Sequence, residues 1–141
     1  MTLAFKEFDI NNTTSSTTAQ NTLSFSQAGI LLRLEGLVLF VAAIVAYVYL
    51  RCNGWLFAAL LFVPDVSMLG YLVNVRMGAT LYNLVHIYLF PAILLALSLS
   101  GGWTLGAWVA IIWFAHIGMD RTVGYGLKYP TTFKDTHFNH V

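Results

Sequence analysis

Charge is scarce in this sequence. Seven Lys or Arg and six Asp or Glu make up 9% of 141 residues, far below the about 25% usual in soluble domains. With a net charge of +1 and no basic face or arm, there is no electrostatic case for a nucleic-acid partner. Cysteine is almost absent as well. Cys52, the only one, cannot close an internal disulfide or form a Cys-x-x-Cys metal or redox pair, and reads as a packing residue at a helix end. No basic start followed by an apolar core opens the chain, so residues 1–28 are not a cleavable secretory signal. No internal repeat is convincing either.

What fills the chain instead is hydrocarbon. Hydrophobic residues make up 58% of it, and a mean hydropathy of +0.73 points to lipid as the solvent. Residues 1–28 are the exception: the run NNTTSSTTAQ at 11–20 is too poor in apolar side chains to offset the entropy of ordering, and reads as a flexible polar tail. Asn11 and Asn12 match the glycosylation triplet, a short match that is frequent by chance.

Four apolar stretches follow, at about 29–50, 55–73, 78–99 and 103–119. Each is close to the roughly 20 residues that a helix needs to cross about 30 Å of hydrocarbon. The breaks between them, Arg51-Cys52-Asn53-Gly54, Asn74-Val75-Arg76 and Ser100-Gly101-Gly102, are short and carry turn chemistry. Connections this short force neighbours antiparallel. The expected fold is therefore an all-α, up-down four-helix bundle in a membrane, spanning residues 29–121, with a short structured segment at 122–141. Trp55 and Trp103 open two of the helices at headgroup level. Lys6, Arg33, Arg76, Arg121, Lys128 and Lys134 lie on the side of the two termini and only Arg51 lies opposite. The positive-inside rule then places both termini in the cytoplasm of a cell with this protein in its inner membrane.

Once each helix has a direction, every polar residue has a depth. Arg33 and Glu35 fall in the first turns of helix one, and Asp65 about eight residues, or roughly 12 Å, from the cytoplasmic end of helix two. Tyr82 and Asn83 lie one turn into helix three with His86 behind them. His116, Asp120 and Arg121 close helix four. All four helices thus put their polar groups in the same half of the membrane, where a charge facing lipid costs about 3 to more than 10 kcal/mol, and a shared interior pocket is expected. Tyr82 and Asn83 share a helix face with His86, as His116 does with Asp120. Pro64, next to Asp65, removes a backbone donor and is expected to kink helix two, and Pro91 to do likewise in helix three. The blander readings stay beside these. Arg33 and Glu35 suit an interface, where long side chains snorkel, and Arg76 and Arg121 serve as orientation anchors. Tyr82, Asn83 and Ser67 suit helix packing, and Trp108, Trp113 and Phe114 suit packing or lipid contact.

Beyond Arg121 the stretch to His137 gathers two glycines, Lys128, Lys134, Asp135 and His137. It is read as a lid folding back over the pocket mouth, with a solvated tail as the alternative; His140 is read as disordered.

The strings LLRLEG (31–36), PDVSMLGY (64–71), YNLVH (82–86) and HIGMDRTVGYGLKYPTTFKDTH (116–137) resemble those of a family of small bacterial four-span membrane proteins grouped as a domain of unknown function, DUF4260-like. The resemblance covers nearly everything from Leu31 onward. It implies the span boundaries and supports the choice of Glu35, Asp65, His86, His116, Asp120 and His137, and it brings no activity with it.

Carboxylate and imidazole together suit Zn, Mn or Fe, and a divalent ion would offset the buried negative charge while activating water. The leading expectation is therefore a metal-dependent, hydrolase-like membrane enzyme. Asp65, His86, His116 and Asp120 would be both ligands and catalytic groups. Glu35, Tyr82, Asn83, Arg121, Lys128 and His137 would contact an amphiphilic or lipid-soluble substrate, with His137 also a candidate ligand. The alternatives are a metal-free isomerase or cyclase using His86 or His116 against Asp65, haem held by His86 and His116, and an ion, proton or small-molecule transporter. The transporter would need a homo-oligomer to supply the polar path missing from the other half.

Overall fold

The computed structural model describes residues 27–140; residues 1–26 of the expected polar tail, with the glycosylation triplets and Lys6, lie outside them, and its last two, Gln27 and Ala28, instead open the first helix. Five α-helices run in order: α1 (Gln27–Tyr49), α2 (Gly54–Leu61), α3 (Val75–Val85), α4 (Leu89–Ser100) and α5 (Thr104–Val123), with a 3₁₀ helix at Val63–Leu72 between α2 and α3. No β-strand occurs among the described residues, and the chain is all-α. Three helical stretches are long and apolar enough to cross a membrane: Gln27–Tyr49, Gly54–Leu72 and Val75–Ser100.

The turns follow the expected chemistry. Asn53 and Asn74 each stand just before a helix and accept a backbone N–H, from Trp55 and Met77 respectively, at 2.8 Å. These side chains satisfy donors that a helix start leaves free. Gly124 ends α5 in the left-handed conformation, φ 97°, with its N–H shared between the Asp120 and Arg121 carbonyls. That φ is strained for any residue with a Cβ.

Two of the expected helices are not uniform, and a proline marks each departure. The second is α-helical only to Leu61; from Val63, with Pro64 next, it tightens into ten residues of 3₁₀ helix. A 3₁₀ run of more than three or four residues is uncommon and often marks strain or function. Here three residues per turn align Pro64, Ser67 and Gly70 on one face. Gly70 meets α3 there: a Cβ would lie 2.8 Å from Leu81 Cδ1 and 3.1 Å from Gly78 Cα. The third helix begins at Val75 and breaks at residues 86–88 before α4 resumes. Pro91 explains the site of the break, because its ring clashes with the carbonyl four residues back, at Ile87. The Val85 carbonyl, left at the break, accepts the Trp113 indole N–H at 2.8 Å.

Burial is inverted relative to a water-soluble protein. α1 exposes Leu31, Leu34, Val38, Val41, Val45 and Val48, while His86, His116, Asp120 and Lys128 are buried. The helix at the centre is α5, which packs against α1, α4 and α2. It buries Ala107, Ala110, Ile111, Ala115, His116, Gly118 and Asp120, and its polar residues keep it out of the set apolar enough to span on composition. Its upper half forms the apolar core with Ala43 and Tyr47 of α1. Lower down, α1 and α5 touch backbone to backbone. A Cβ on Gly36 would lie 2.7 Å from Arg121 Cβ and 2.9 Å from the Gly118 carbonyl, and one on Gly118 would lie 2.8 Å from the Phe40 nitrogen. Small residues permit such approach where van der Waals packing must hold helices together.

Gly36→Ala is expected to lower stability by about 1–3 kcal/mol through overpacking, read as a fall in the thermal midpoint of the purified protein in detergent. Gly54→Ala is the control, because a Cβ there meets nothing within 4 Å.

Candidate metal centre

Asp65, His86, His116 and Asp120 converge, each offering a ligand atom within 4.8 Å of all the others. Three elements supply them. The 3₁₀ segment brings Asp65, the end of α3 brings His86, and one face of α5 brings His116 and Asp120 at i and i+4. Burial is graded: the side chains of His86, His116 and Asp120 are 3%, 0% and 10% exposed, whereas that of Asp65 is 35% exposed.

The imidazoles face each other through their Nε2 atoms, 3.0 Å apart. From His86 Nε2 the carboxylate oxygens lie at 3.8 Å (Asp65) and 3.5 Å (Asp120), and from His116 Nε2 at 3.5 Å and 3.8 Å. His86 Nδ1 lies 2.8 Å from the Tyr82 carbonyl, which can only accept, so Nδ1 carries the proton and Nε2 of the neutral ring is left as a lone pair. A backbone acceptor on the far nitrogen is the usual way a histidine ligand is oriented. His116 Nδ1 is buried without a hydrogen-bond partner. A neutral His116 either donates its Nε2 proton to the His86 lone pair or, as the other tautomer, presents a second lone pair beside the two carboxylates, an arrangement that a cation among them would stabilise.

The distances can be tested against a metal ion. Ligands about 2.0–2.2 Å from zinc lie about 3.3–3.6 Å apart at tetrahedral angles, and the five nitrogen–nitrogen and nitrogen–oxygen separations run from 3.0 to 3.8 Å. The donor set of two nitrogens and two oxygens, with no thiolate, suits Zn, Mn or Fe. The four residues could therefore hold a metal ion.

The remaining site candidates surround this group in two layers. Tyr82, 1% exposed, donates its hydroxyl proton to Asp120 Oδ2 at 2.8 Å and stacks on His86 with ring centroids 3.7 Å apart. Asn83 holds the chain beyond α5: its Oδ1 accepts the Lys128 N–H at 2.6 Å and its Nδ2 donates to the Lys128 carbonyl at 2.8 Å. That segment is a small hairpin, with the Tyr129 N–H donating to Asp135 and the His137 N–H to Leu127. Lys128 is buried, donates from Nζ to the Phe133 carbonyl at 3.0 Å, and lies 5.3 Å from the Tyr82 ring centre. Burial pushes its ammonium pKa down and the Asp120 charge opposes that shift. Tyr82 and Asn83 thus link the hairpin to the Asp/His group.

Three candidates fall elsewhere. His137 is not one of the four: its Nδ1 accepts the Leu127 N–H at 3.0 Å within the hairpin. Glu35 and Arg121 line a groove on the α1 side of α5, together with Tyr88. His140 lies against the hairpin, its Nε2 2.7 Å from Asp135 Oδ1. Two contributors escaped the sequence reading. The Tyr88 ring lies 4.8 Å from the Arg121 guanidinium carbon, and the Tyr71 ring meets Phe133 edge-on at 5.0 Å. Tyr71 in PDVSMLGY stands two 3₁₀ turns after Asp65, a signal visible only once that helix type is known.

Burial, and after it the Arg121 charge, hold the His137 pKa below the ordinary histidine range. A docked ring that resists a proton which the released one accepts at about 6.5 loses stability as pH falls through that value, and regains it as pH rises. Tryptic cleavage after Lys128, normalised at each pH to cleavage of an unfolded substrate, is expected to accelerate between pH 7 and pH 5. His137→Asn, whose side-chain oxygen still accepts the Leu127 N–H, should flatten that dependence.

No curated protein and no solved structure gives a significant match to the chain. The sequence pattern of the domain of unknown function DUF4260 matches residues 29–141, which takes in every residue of the Asp/His group and the hairpin, and the chain belongs to that family.

Proposed function

We propose that this is an integral membrane protein, a four-helix bundle in the bacterial inner membrane with both termini cytoplasmic, and that Asp65, His86, His116 and Asp120 bind one divalent ion, Zn, Mn or Fe, for hydrolysis of an amphiphilic or lipid-soluble substrate. One observation carries the reading: two imidazole Nε2 atoms 3.0 Å apart, each within 3.8 Å of both carboxylates. A cation held there would offset the two carboxylate charges beside the buried imidazoles.

When bound, such an ion supplies Lewis acidity and lowers the pKa of a water. The chain's own groups do the rest. Tyr82 orients both an acid and a base, through its hydroxyl to Asp120 and its carbonyl to His86. Buried Lys128 adds positive charge beside Tyr82. Asp65 is the part-exposed member and marks the open side. Val63, Pro64 and Val66, its neighbours along the chain, line an apolar cavity of about 520 Å³ with Val85, Ile112 and Trp113, although none of the four Asp/His residues lines it. That is within the size range of small-molecule sites and suits the hydrocarbon part of a substrate.

A second reading has one observation in its favour. The chain offers four protein donors, the number found in structural rather than catalytic zinc sites, and an ion held by all four would tie the helices together. Asp65 decides between the two, being the ligand best placed to give way. In cobalt-substituted protein, azide should shift the visible spectrum if a coordination position opens; an unmoved spectrum favours the structural role.

Purified protein is expected to carry about one metal ion per chain by elemental analysis, as for a single closed site. Asp65→Ala and His86→Ala should lose it. Tyr82→Phe should weaken binding by about 10–100-fold, the usual effect of removing a group that orients a ligand. Metal-free protein, with both alanine variants behaving as wild type, would overturn the proposal. The topology has its own probe, since Cys52, the sole cysteine, lies in the α1–α2 connection. A membrane-impermeant maleimide should label it from the periplasmic side of intact spheroplasts, and labelling only after permeabilisation would reverse the orientation.

A further inference from the structure

A second site lies across α5 from the Asp/His group. A groove of about 540 Å³ has apolar walls of Leu31, Leu34, Val38 and Leu39 on α1, and its charged lining is Glu35 and Arg121. Opposite charges lining one groove in an apolar setting would be expected to pair, yet no ion pair joins them among the described residues. Arg121 is held another way. Its guanidinium carbon stands 4.8 Å from the Tyr88 ring centre, a cation–π contact that leaves the planar N–H edge available for a bidentate oxyanion. Its Cβ is fixed by the close approach of Gly36. The groove therefore combines a hydrocarbon wall one helix face wide, a positioned guanidinium and a separate carboxylate.

We infer that this groove binds one zwitterionic phospholipid, its phosphate on Arg121, its primary ammonium on Glu35 and an acyl chain along the α1 wall. Charge complementarity selects this occupant. A purely anionic headgroup would leave Glu35 repelling it, and an uncharged amphiphile would leave both charges unmet. Arg121 also lines a small void with Tyr82, His86 and Asp120, so the phosphate would be held by a residue that borders the Asp/His group. Binding needs no metal, and the inference stands apart from the proposed hydrolysis.

The test is lipid retention by full-length protein in detergent, measured by native mass spectrometry. Three lipids share the same acyl chains: one with a phosphoethanolamine headgroup, one with phosphoglycerol, and a diacylglycerol with no phosphate. Wild type should retain one phosphoethanolamine lipid per chain and prefer it over phosphoglycerol by at least about fivefold, as expected for one charge-assisted contact. Glu35→Gln should bring that preference close to one while both phospholipids remain bound. Arg121→Gln should lower retention of both by about tenfold, to the diacylglycerol level. If Arg121→Gln loses its helical circular dichroism, Arg121→Lys replaces it, and a loss of at least about threefold is expected because an ammonium lacks the planar fork. Equal retention of diacylglycerol by wild type, or an intact preference in Glu35→Gln, overturns the inference. While the helical circular dichroism persists, chelating the metal should leave all ratios unchanged, so failure of the metal centre and failure of this site are read separately.

Discussion

Two imidazole nitrogens 3.0 Å apart, each within 3.8 Å of the same two carboxylates, constrain three elements at once, because no single helix supplies more than two of the groups. Each element meets that constraint by a local irregularity or a close approach. The 3₁₀ segment lets glycine meet glycine against α3, and the break after Val85 ends α3 at the residue whose ring must turn inward. α5 contributes the regular part, with His116 and Asp120 one turn apart on its buried face. In a chain this poor in charge, the four groups and buried Lys128 account for much of what the interior holds that is not hydrocarbon.

The irregularities and the site have the same cause. Pro64 and Pro91 each deny a helix a hydrogen bond, and at the break before Pro91 side chains near the Asp/His group bond the backbone carbonyls. Trp113 satisfies the Val85 carbonyl, and the His86 ring turns back onto the Tyr82 carbonyl. The same Tyr82 reaches Asp120 with its hydroxyl, and its neighbour Asn83 fastens the Lys128 backbone. One turn of α3 therefore positions an acid, a base and the chain beyond α5.

Much of this was legible in the sequence, and the limits are geometric. Counting residues from helix ends yields depth, and depth alone put Asp65, His86, His116 and Asp120 in one layer. It gives no angle about the helix axis. Glu35 shares that depth, but Gly36 is the residue that faces α5, so Glu35 turns about 100° away and into the groove. Arg121 follows Asp120 and is displaced by the same rotation. The helix type of the Asp65 segment was hidden too, since nothing in VPDVSMLGYL separates 3₁₀ from a kinked α-helix before its contact with α3 is known. The glycines at 124 and 126 announced a turn; where the turn would dock depended on Asn83, whose amide gave no sign of its partner.

The contact of Gly36 with Gly118 carries one more consequence. With no side chains between them to absorb movement, α1 and α5 tilt together, and α5 carries half of the Asp/His group two residues either side of the contact. Most of α1 is exposed, Leu31, Leu34, Val38, Val41, Val45 and Val48 among its residues, and in the proposed membrane setting helix tilt answers to hydrocarbon thickness. In that proposed setting the spacing of His116 and Asp120 from Asp65 and His86 would be geared to the thickness of the surrounding bilayer.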